Sequence, residues 1–275
     1  MESSHKISII IVDFLKGDRV VENVKSALAQ ETTAEIEIII IDNSCSKENF
    51  NKLKALESNQ VKLIKSNKNL GYIQACNLGV SHSNSDFIFL VNPDIVWLEK
   101  DTITNILKEF DTAPNIGIIG TRQRNDDGTT PNTVRRFPDI IAQVSRRTFM
   151  RKIPWFAKRV SSYEMDDFDY STSGNVEWMQ SSFMVVRQEL WNKIDGLDNR
   201  FFLFMADPDI CYQAWENGFK VRYLANVCVG ADGKRCSEGG FLSVFKSKAI
   251  RYHLKDAFNY ELKYFSKEKK PSSIN

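Results

Sequence analysis

Apolar residues in the first 120 positions recur in two alternating rhythms. Short, nearly unbroken β-branched and aromatic runs stand at Ile7–Val12, Ile36–Ile41, Val61–Ile64, Phe87–Val91 and Ile116–Ile119. Between them the spacing widens to that of a helix. Val20, Val21, Val24, Ala27 and Leu28 share one face, as do Phe50, Leu53 and Leu56 within Lys47–Glu57. Gly71–Val80 reads as a further helix. Within Asp101–Phe110, Ile103, Ile106, Leu107 and Phe110 again keep helical spacing. Strands that are apolar throughout, with helices between them, predict an α/β fold: a Rossmann-like, mostly parallel sheet with helices on both faces.

The rhythm breaks after residue 120. Pro131–Val160 carries eight basic residues against the single acid Asp139, interleaved with Phe137, Phe149, Trp155 and Phe156. Tyr163–Gly174 turns acidic and small. A second structured block begins near Val176, with strands predicted at Phe183–Val186, Val221–Tyr223 and Val227–Val229. A helix is predicted from Phe241 to about Phe265, striped by Ile250, Leu254, Phe258, Leu262 and Phe265. These shifts divide the chain into an α/β half (1–120), a second half of the same domain (121–240) and a C-terminal basic amphipathic helix and tail (241–275).

Composition narrows the chemistry. Hydrophobic residues at 42% and charged residues at 26% describe an ordinary globular chain and exclude a disordered or collagenous one. No apolar run approaches the roughly 18 residues of a membrane span, and the polar Met1–Lys6 is unlike a secretory signal. A formal net charge of +2 gives no reason to expect nucleic acid as a partner. Cys45, Cys76, Cys211, Cys228 and Cys236 are odd in number and include no C-x-x-C pair. That argues against a disulfide framework or zinc site and for a reducing, cytoplasmic setting. His5, His82 and His253 are scattered, so the chemistry falls to carboxylates.

Ligands of open α/β sheets bind at the carboxyl ends of strands. Those ends carry Asp13; Asp42, Asn43 and Ser44; Asn67, Asn69 and Gly71; and Asn92, Pro93 and Asp94. Any one of these could be an ordinary turn residue or helix cap. Four on one rim point to a polar ligand. The first strand is followed by no G-x-G-x-x-G, and the chain has no phosphate-binding G-x-x-x-x-G-K. A phosphate ligand would then need another counter-charge, such as a divalent cation on Asp94. A second cluster closes an aromatic run: Phe201-Phe202-Leu203-Phe204-Met205-Ala206-Asp207-Pro208-Asp209. Here Asp207 reads as the N-cap and Pro208 as the first residue of a helix ending at Asn217-Gly218.

Taken in order, several of these stretches resemble glycosyltransferase family 2 with its GT-A fold. They are Ile7–Val12, Ile38–Ser44, Asn67–Gly71, Asn77-Leu78-Gly79 and Phe89-Leu90-Val91-Asn92-Pro93-Asp94. The narrower resemblance is to the bacterial rhamnosyltransferase-like branch, which has Asn-Pro-Asp where others have Asp-x-Asp. Arg135-Arg136-Phe137-Pro138, Glu177-Trp178, Phe183–Arg187, Gly196-Leu197-Asp198, Arg200-Phe201-Phe202 and Asp207-x-Asp209 continue it to about residue 235.

The resemblance implies inverting transfer of a sugar, with rhamnose the branch's leaning. The donor is a nucleotide diphosphate sugar. The acceptor is a growing cell-surface polysaccharide such as O-antigen, or a lipid-linked glycan. Asp42 would contact the nucleoside, with Asp13, Asn43, Asn69, Gly71, Asn77 and Asn92 on the nucleotide-sugar side. Asp94 would hold Mg²⁺ or Mn²⁺ on the diphosphate. Asp207 would deprotonate the acceptor hydroxyl, with Trp178 and Asp209 on the acceptor side.

The chain departs from the family at three places. Ala206 stands where Glu is usual, Ser181 or Ser182 where Gly is usual, and Val229-Gly230-Ala231-Asp232 lacks a usual His, for which Asp232 could substitute. A non-catalytic GT-A module that binds a sugar nucleotide or partners an active glycosyltransferase is therefore the alternative. Phe241–Asn275 holds eight basic residues against three acids. With its apolar stripe it suits peripheral contact with the anionic inner face of the cell membrane, or ordinary packing on the domain. Pro131–Val160 is a second candidate for that contact.

Overall fold

The computed structural model describes residues 5–138, 140–146, 148–233, 248–265, 267 and 271. The α/β half alternates as β1 (Lys6–Asp13), α1 (Gly17–Leu28), β2 (Glu35–Asp42), α2 (Lys47–Lys54), β3 (Val61–Lys65), α3 (Gly71–Ser81) and β4 (Phe87–Val91). A short β5 (Val96–Trp97), α4 (Thr102–Thr112) and β6 (Ile116–Asn125) follow. The middle contains β7 (Val134–Arg135), α5 (Ile140–Arg146), a 3₁₀ turn at Phe149–Lys152, α6 (Pro154–Glu164), β8 (Gly174–Asn175) and β9 (Trp178–Met179). The chain then forms β10 (Phe183–Arg187), α7 (Gln188–Ile194), α8 (Ala206–Glu216), β11 (Lys220–Ala231) and α9 (Lys248–Tyr264).

Nine of these strands form one sheet in the order β3-β2-β1-β4-β10-β6-β11-β5, with β8 pairing to β11. β1 pairs parallel to both β2 and β4, which sets their carboxyl ends side by side. Alternate residues face opposite ways, and both faces are apolar. Ile10, Ile39, Ile41 and Leu90 pack toward α3 and α8, while Ile9, Ile11, Ile38 and Phe89 pack toward α1 and α4. That double burial explains why the strands read as unbroken apolar runs.

The second half adds what periodicity did not reveal. β10 enters antiparallel between β4 and β6, so the sheet is mixed rather than uniformly parallel. β6 runs unbroken through position 120. The two short strands expected at Val221–Tyr223 and Val227–Val229 are one strand, β11, with a register shift between Leu224 and Cys228.

Two helices differ from expectation. Asp207 is not an N-cap: Met205 occupies that position in the left-handed region, and Ala206 opens α8. Asp207 is thus second and Pro208 third in the helix. Proline is tolerated there because first-turn N–H groups have no partner within the helix. In α9, the predicted stripe does not pack inward. Asp256 and Tyr260 face the domain, while Leu254, Phe258, Leu262 and Phe265 are 44%, 63%, 61% and 89% exposed. The docking face is aromatic and polar: Tyr252 stacks on Phe202, His253 tilts against Phe204, and Tyr264 against Tyr212. Residues 241–247 of the predicted helix, Cys236 and the Ile250 side chain lie outside the described residues.

One close approach fixes the relation between α3 and the segment before α8. Tyr72 N donates to Phe202 O at 2.8 Å. Gly71 adopts φ +76°, and a Cβ placed on it would lie 2.3 Å from Phe202 O. A left-handed L-residue costs roughly 1–2 kcal/mol before any clash. Gly71→Ala is therefore expected to lower stability by at least about 2 kcal/mol, measured by urea unfolding. A loss below about 0.5 kcal/mol, the scatter of neutral surface changes, would mean that the segment yields freely.

Candidate active site

Asp13 and Asp42 are register partners at the ends of β1 and β2, and both are fully buried. Asn49, from α2, bridges them: its Nδ2 donates to Asp13 Oδ2 at 2.6 Å and to Asp42 Oδ1 at 3.2 Å. Asp42 Oδ1 also accepts from Ser44 Oγ at 2.5 Å and Ser44 N at 3.1 Å. Asp42 Oδ2 is buried and accepts no hydrogen bond among the described residues. A buried acceptor without a donor is costly, so this oxygen suits a ligand N–H or hydroxyl. Burial raises the Asp13 pKa, opposed by Asn49 and by backbone N–H groups of the loop after β1.

Asn43 and Asn69 lock together beside this pair. Asn43 Nδ2 donates to Asn69 Oδ1 at 3.1 Å and to Gly71 O at 3.2 Å, and Asn43 Oδ1 accepts from Leu70 N at 2.8 Å. Asn92 connects β4 to neighbouring segments through its backbone: its N donates to Ser182 O at 2.8 Å and its O accepts from Asn23 Nδ2 at 2.9 Å. Asn77 stands apart from the strand ends. Its Nδ2 donates to Leu197 O at 2.7 Å and its Oδ1 accepts from Leu197 N at 2.9 Å, which ties α3 to the turn at Gly196.

Asp94 lies just past β4, and Asp232 just past β11. One ammonium serves both: Lys16 Nζ is 3.2 Å from Asp94 Oδ1 and 2.9 Å from Asp232 Oδ2. The two carboxylate side chains are 10% and 5% exposed. Burial raises the Asp94 pKa, reinforced by the hydrogen bond and charge of Asp232 and opposed by Lys16. A divalent cation fits this donor set, because Mg²⁺ ordinarily takes one or two carboxylates with substrate phosphates. Among the described residues no group of three or more His, Cys, Asp or Glu could hold a metal ion.

Asp207 and Asp209 point different ways, as residues two apart on a helix must. Asp207 Oδ1 accepts from Ser181 Oγ at 2.5 Å, beside Tyr72, Leu90 and Met184. Burial raises its pKa, against the Ser181 hydrogen bond. Asp209 is buried against α9, with its Oδ1 2.6 Å from Lys263 Nζ and accepting from Tyr264 Oη at 2.7 Å. Trp178 is buried in β9 and donates its indole N–H to Arg136 O. The segment leading to α8 is held by the fully buried Asp256, whose carboxylate accepts from the backbone N–H groups of Phe202, Leu203 and Phe204 at 2.9–3.1 Å.

Sequence reasoning passed over Asn49, Lys16, Lys263 and Asp256. Each lies on a helix or loop whose pattern looks like ordinary surface. Only the tertiary fold sets Lys16 and Asn49 against strand-end carboxylates, and Lys263 and Asp256 against the start of α8 and the segment before it. The serine at 181, noted as a departure, proves to be the direct partner of Asp207.

The profile of glycosyl transferase family 2 matches residues 8–194. The N-acetylglucosaminyl-diphospho-decaprenol L-rhamnosyltransferase of Mycobacterium tuberculosis is 22% identical over 263 residues, 90% of this chain and 76% of that protein. Rhamnosyltransferase WbbL of Escherichia coli is 24% identical over 209 residues, 70% of this chain and 73% of that protein. In fold, the chain is similar to the mannosyltransferase PcManGT of Pyrobaculum calidifontis, solved with GDP-Man and Mn²⁺. The TM-score is 0.65 at 12% identity, covering 99% of this chain and 68% of that one. The architecture is GT-A.

The Asp209 contacts predict a structural role. Hydrogen bonds to charged groups are worth about 1.5–3 kcal/mol. Asp209→Asn is expected to lower unfolding stability by about that amount and to expose α9 to limited proteolysis. Unchanged protease sensitivity would show that α9 does not depend on this contact.

Proposed function

Because the chain belongs to glycosyl transferase family 2, we propose that it moves a sugar, rhamnose being favoured, from a nucleotide diphosphate sugar to a glycan or lipid-linked glycan acceptor of cell-surface polysaccharide assembly, with inversion. The observation that carries this reading is the Asp207 carboxylate, oriented by Ser181 and made more basic by burial. Rhamnose is favoured because both bacterial relatives described above are named rhamnosyltransferases.

On the donor side, Asp42 Oδ2 would accept a hydrogen bond from the nucleoside, while Asn43 and Asn69 hold the neighbouring loop in place. Asp94, with Asp232, would hold Mg²⁺ or Mn²⁺. A cation held there would neutralise charge gathering on the departing diphosphate. On the acceptor side, the hydroxyl oxygen bonds to the anomeric carbon as the carbon–oxygen bond to the diphosphate breaks. The electron pair leaves with the diphosphate, and the hydroxyl proton passes to Asp207. Ser181 would orient that carboxylate through the hydrogen bond to its Oδ1. Trp178 would act indirectly, by fixing the backbone at Arg136.

Peripheral contact with an anionic membrane is part of this proposal. Its support is the outward stripe of α9 and a second surface on α5, the 3₁₀ turn and α6. There Phe149 and Trp155 are exposed, and Arg136, Trp155, Lys158 and Arg159 line a concavity of about 540 Å³. Residues 140–163 contain six basic residues and no acid. Exposed apolar side chains with surrounding cations supply the two signals that stable attachment to anionic lipid requires. Among the described residues no helix is long and apolar enough to cross a membrane.

Three outcomes test the proposal. Incubated with nucleotide diphosphate sugars and Mn²⁺, the protein should release the nucleotide diphosphate, which a non-catalytic module would not. Asp207→Asn should lower turnover by at least about a hundredfold, the usual worth of a positioned base, with donor affinity nearly unchanged. The reaction needs ionised Asp207, so turnover should fall as pH drops through its raised pKa. The acid limb should then lie above the ordinary value of 3.8; a limb at or below that value would remove Asp207 from the role. In the third test, the protein should sediment with phosphatidylglycerol vesicles at low salt and release as salt rises, and Phe258→Glu with Leu262→Glu should weaken it. No sedimentation at low salt would end the membrane reading.

A further inference from the structure

Lys16 is the one cation in contact with both carboxylates assigned to the metal, among the described residues, and its placement is built into the fold. Asp13 ends β1, and its Oδ1 accepts from Lys16 N at 2.9 Å. Leu15 between them has φ +62°, a conformation that L-residues adopt at a cost and that persists where surroundings impose it. The turn carries the Lys16 side chain to the ends of β4 and β11, where Asp94 and Asp232 meet. Burial lowers the Lys16 pKa, but the hydrogen bond to Asp232 and the charge of Asp94 more than compensate. The ammonium is therefore held charged against the two acids.

Accepting the assignment of Asp94 to a divalent cation, we propose that Lys16 is a diphosphate-binding residue whose ammonium rests on Asp94 and Asp232 until donor and cation arrive. Two nearly buried carboxylates need a counter-charge, and Lys16 supplies it. A divalent cation held by Asp94 and Asp232 would satisfy both acids and repel the ammonium. The released Lys16 remains tethered at the same rim, where the donor's diphosphate is its nearest strong anionic partner. Lys16 thus opposes cation binding in the absence of donor and supports donor binding in its presence. Such coupling is reciprocal by linkage.

The test reads Mn²⁺ alone, by electron paramagnetic resonance titration of the full chain without nucleotide. Wild type should bind weakly. Lys16→Met should bind Mn²⁺ at least about tenfold more tightly, within the usual range of coupling between sites, and Lys16→Arg, which keeps the charge, should remain weak. Thermal unfolding checks that each variant is folded. In a second arm, adding UDP, GDP or dTDP should raise the Mn²⁺ affinity of wild type far more than that of Lys16→Met. Lys16→Met binding Mn²⁺ no more tightly than wild type, or showing the same nucleotide effect, overturns the proposal. Tight Mn²⁺ binding that survives Asp94→Asn in the Lys16→Met background fails the Asp94 assignment instead.

Discussion

Buried negative charge is the constraint on which the rest of this structure depends. Asp13, Asp42, Asp94, Asp209 and Asp256 are all buried, and a buried carboxylate is tolerated only where donors or cations meet it. The protein meets each differently. Asn49 joins Asp13 to Asp42, Lys16 joins Asp94 to Asp232, and Lys263 with Tyr264 satisfies Asp209. Three backbone N–H groups satisfy Asp256. Asp42 Oδ2 is where this matching stops among the described residues, and that is where a nucleoside would complete it.

The Asp94 turn and the start of α8 are joined through a single short segment. Asn92, two residues before Asp94, donates its N–H to Ser182 O. The adjacent Ser181 holds Asp207. The antiparallel entry of β10 beside β4 makes this possible, because it brings the residues before β10 to the carboxyl end of β4. The turn that carries Asp94 and the start of the helix that carries Asp207 are thus held by the same short segment. In the proposed transfer, that shared support would hold the two groups in place, since near-attack geometry contributes much of the rate.

The C-terminal helix is part of the same support. Asp256 fixes the backbone of residues 202–204, and Gly71 permits that backbone to lie against α3. The start of α8, and with it Asp207, is therefore set from two sides. The face of α9 that performs this is aromatic and charged, which leaves its leucines and phenylalanines outward. An amphipathic helix whose apolar stripe faces solvent has exchanged the usual sides, and a lipid surface is the environment that suits such a stripe.

Much of the fold was legible in the sequence. Ile7–Val12, Ile36–Ile41 and Phe87–Val91 announced buried parallel strands because both of their faces are covered, and Asp13, Asp42 and Asp94 followed as strand-end residues. Local pattern also gave the end of α8 at Asn217-Gly218, where Gly218 takes the left-handed conformation. It misplaced the start of that helix, because the left-handed turn at Met205 is imposed by contacts with α3 and α9 rather than by Pro208. It could not assign the direction of β10, since an apolar five-residue run reads the same parallel or antiparallel. Nor could it show which face of α9 would dock. Leu254, Phe258 and Leu262 have the stronger apolar signal, but buried hydrogen bonds to Asp256 and Tyr264, with stacking on Phe202, decide the orientation. Lys16, Asn49 and Ser181 were invisible as partners for the same reason. A residue's type and spacing determine which element it joins, while the carboxylate it meets across the fold is decided only when distant strand ends are brought to one rim.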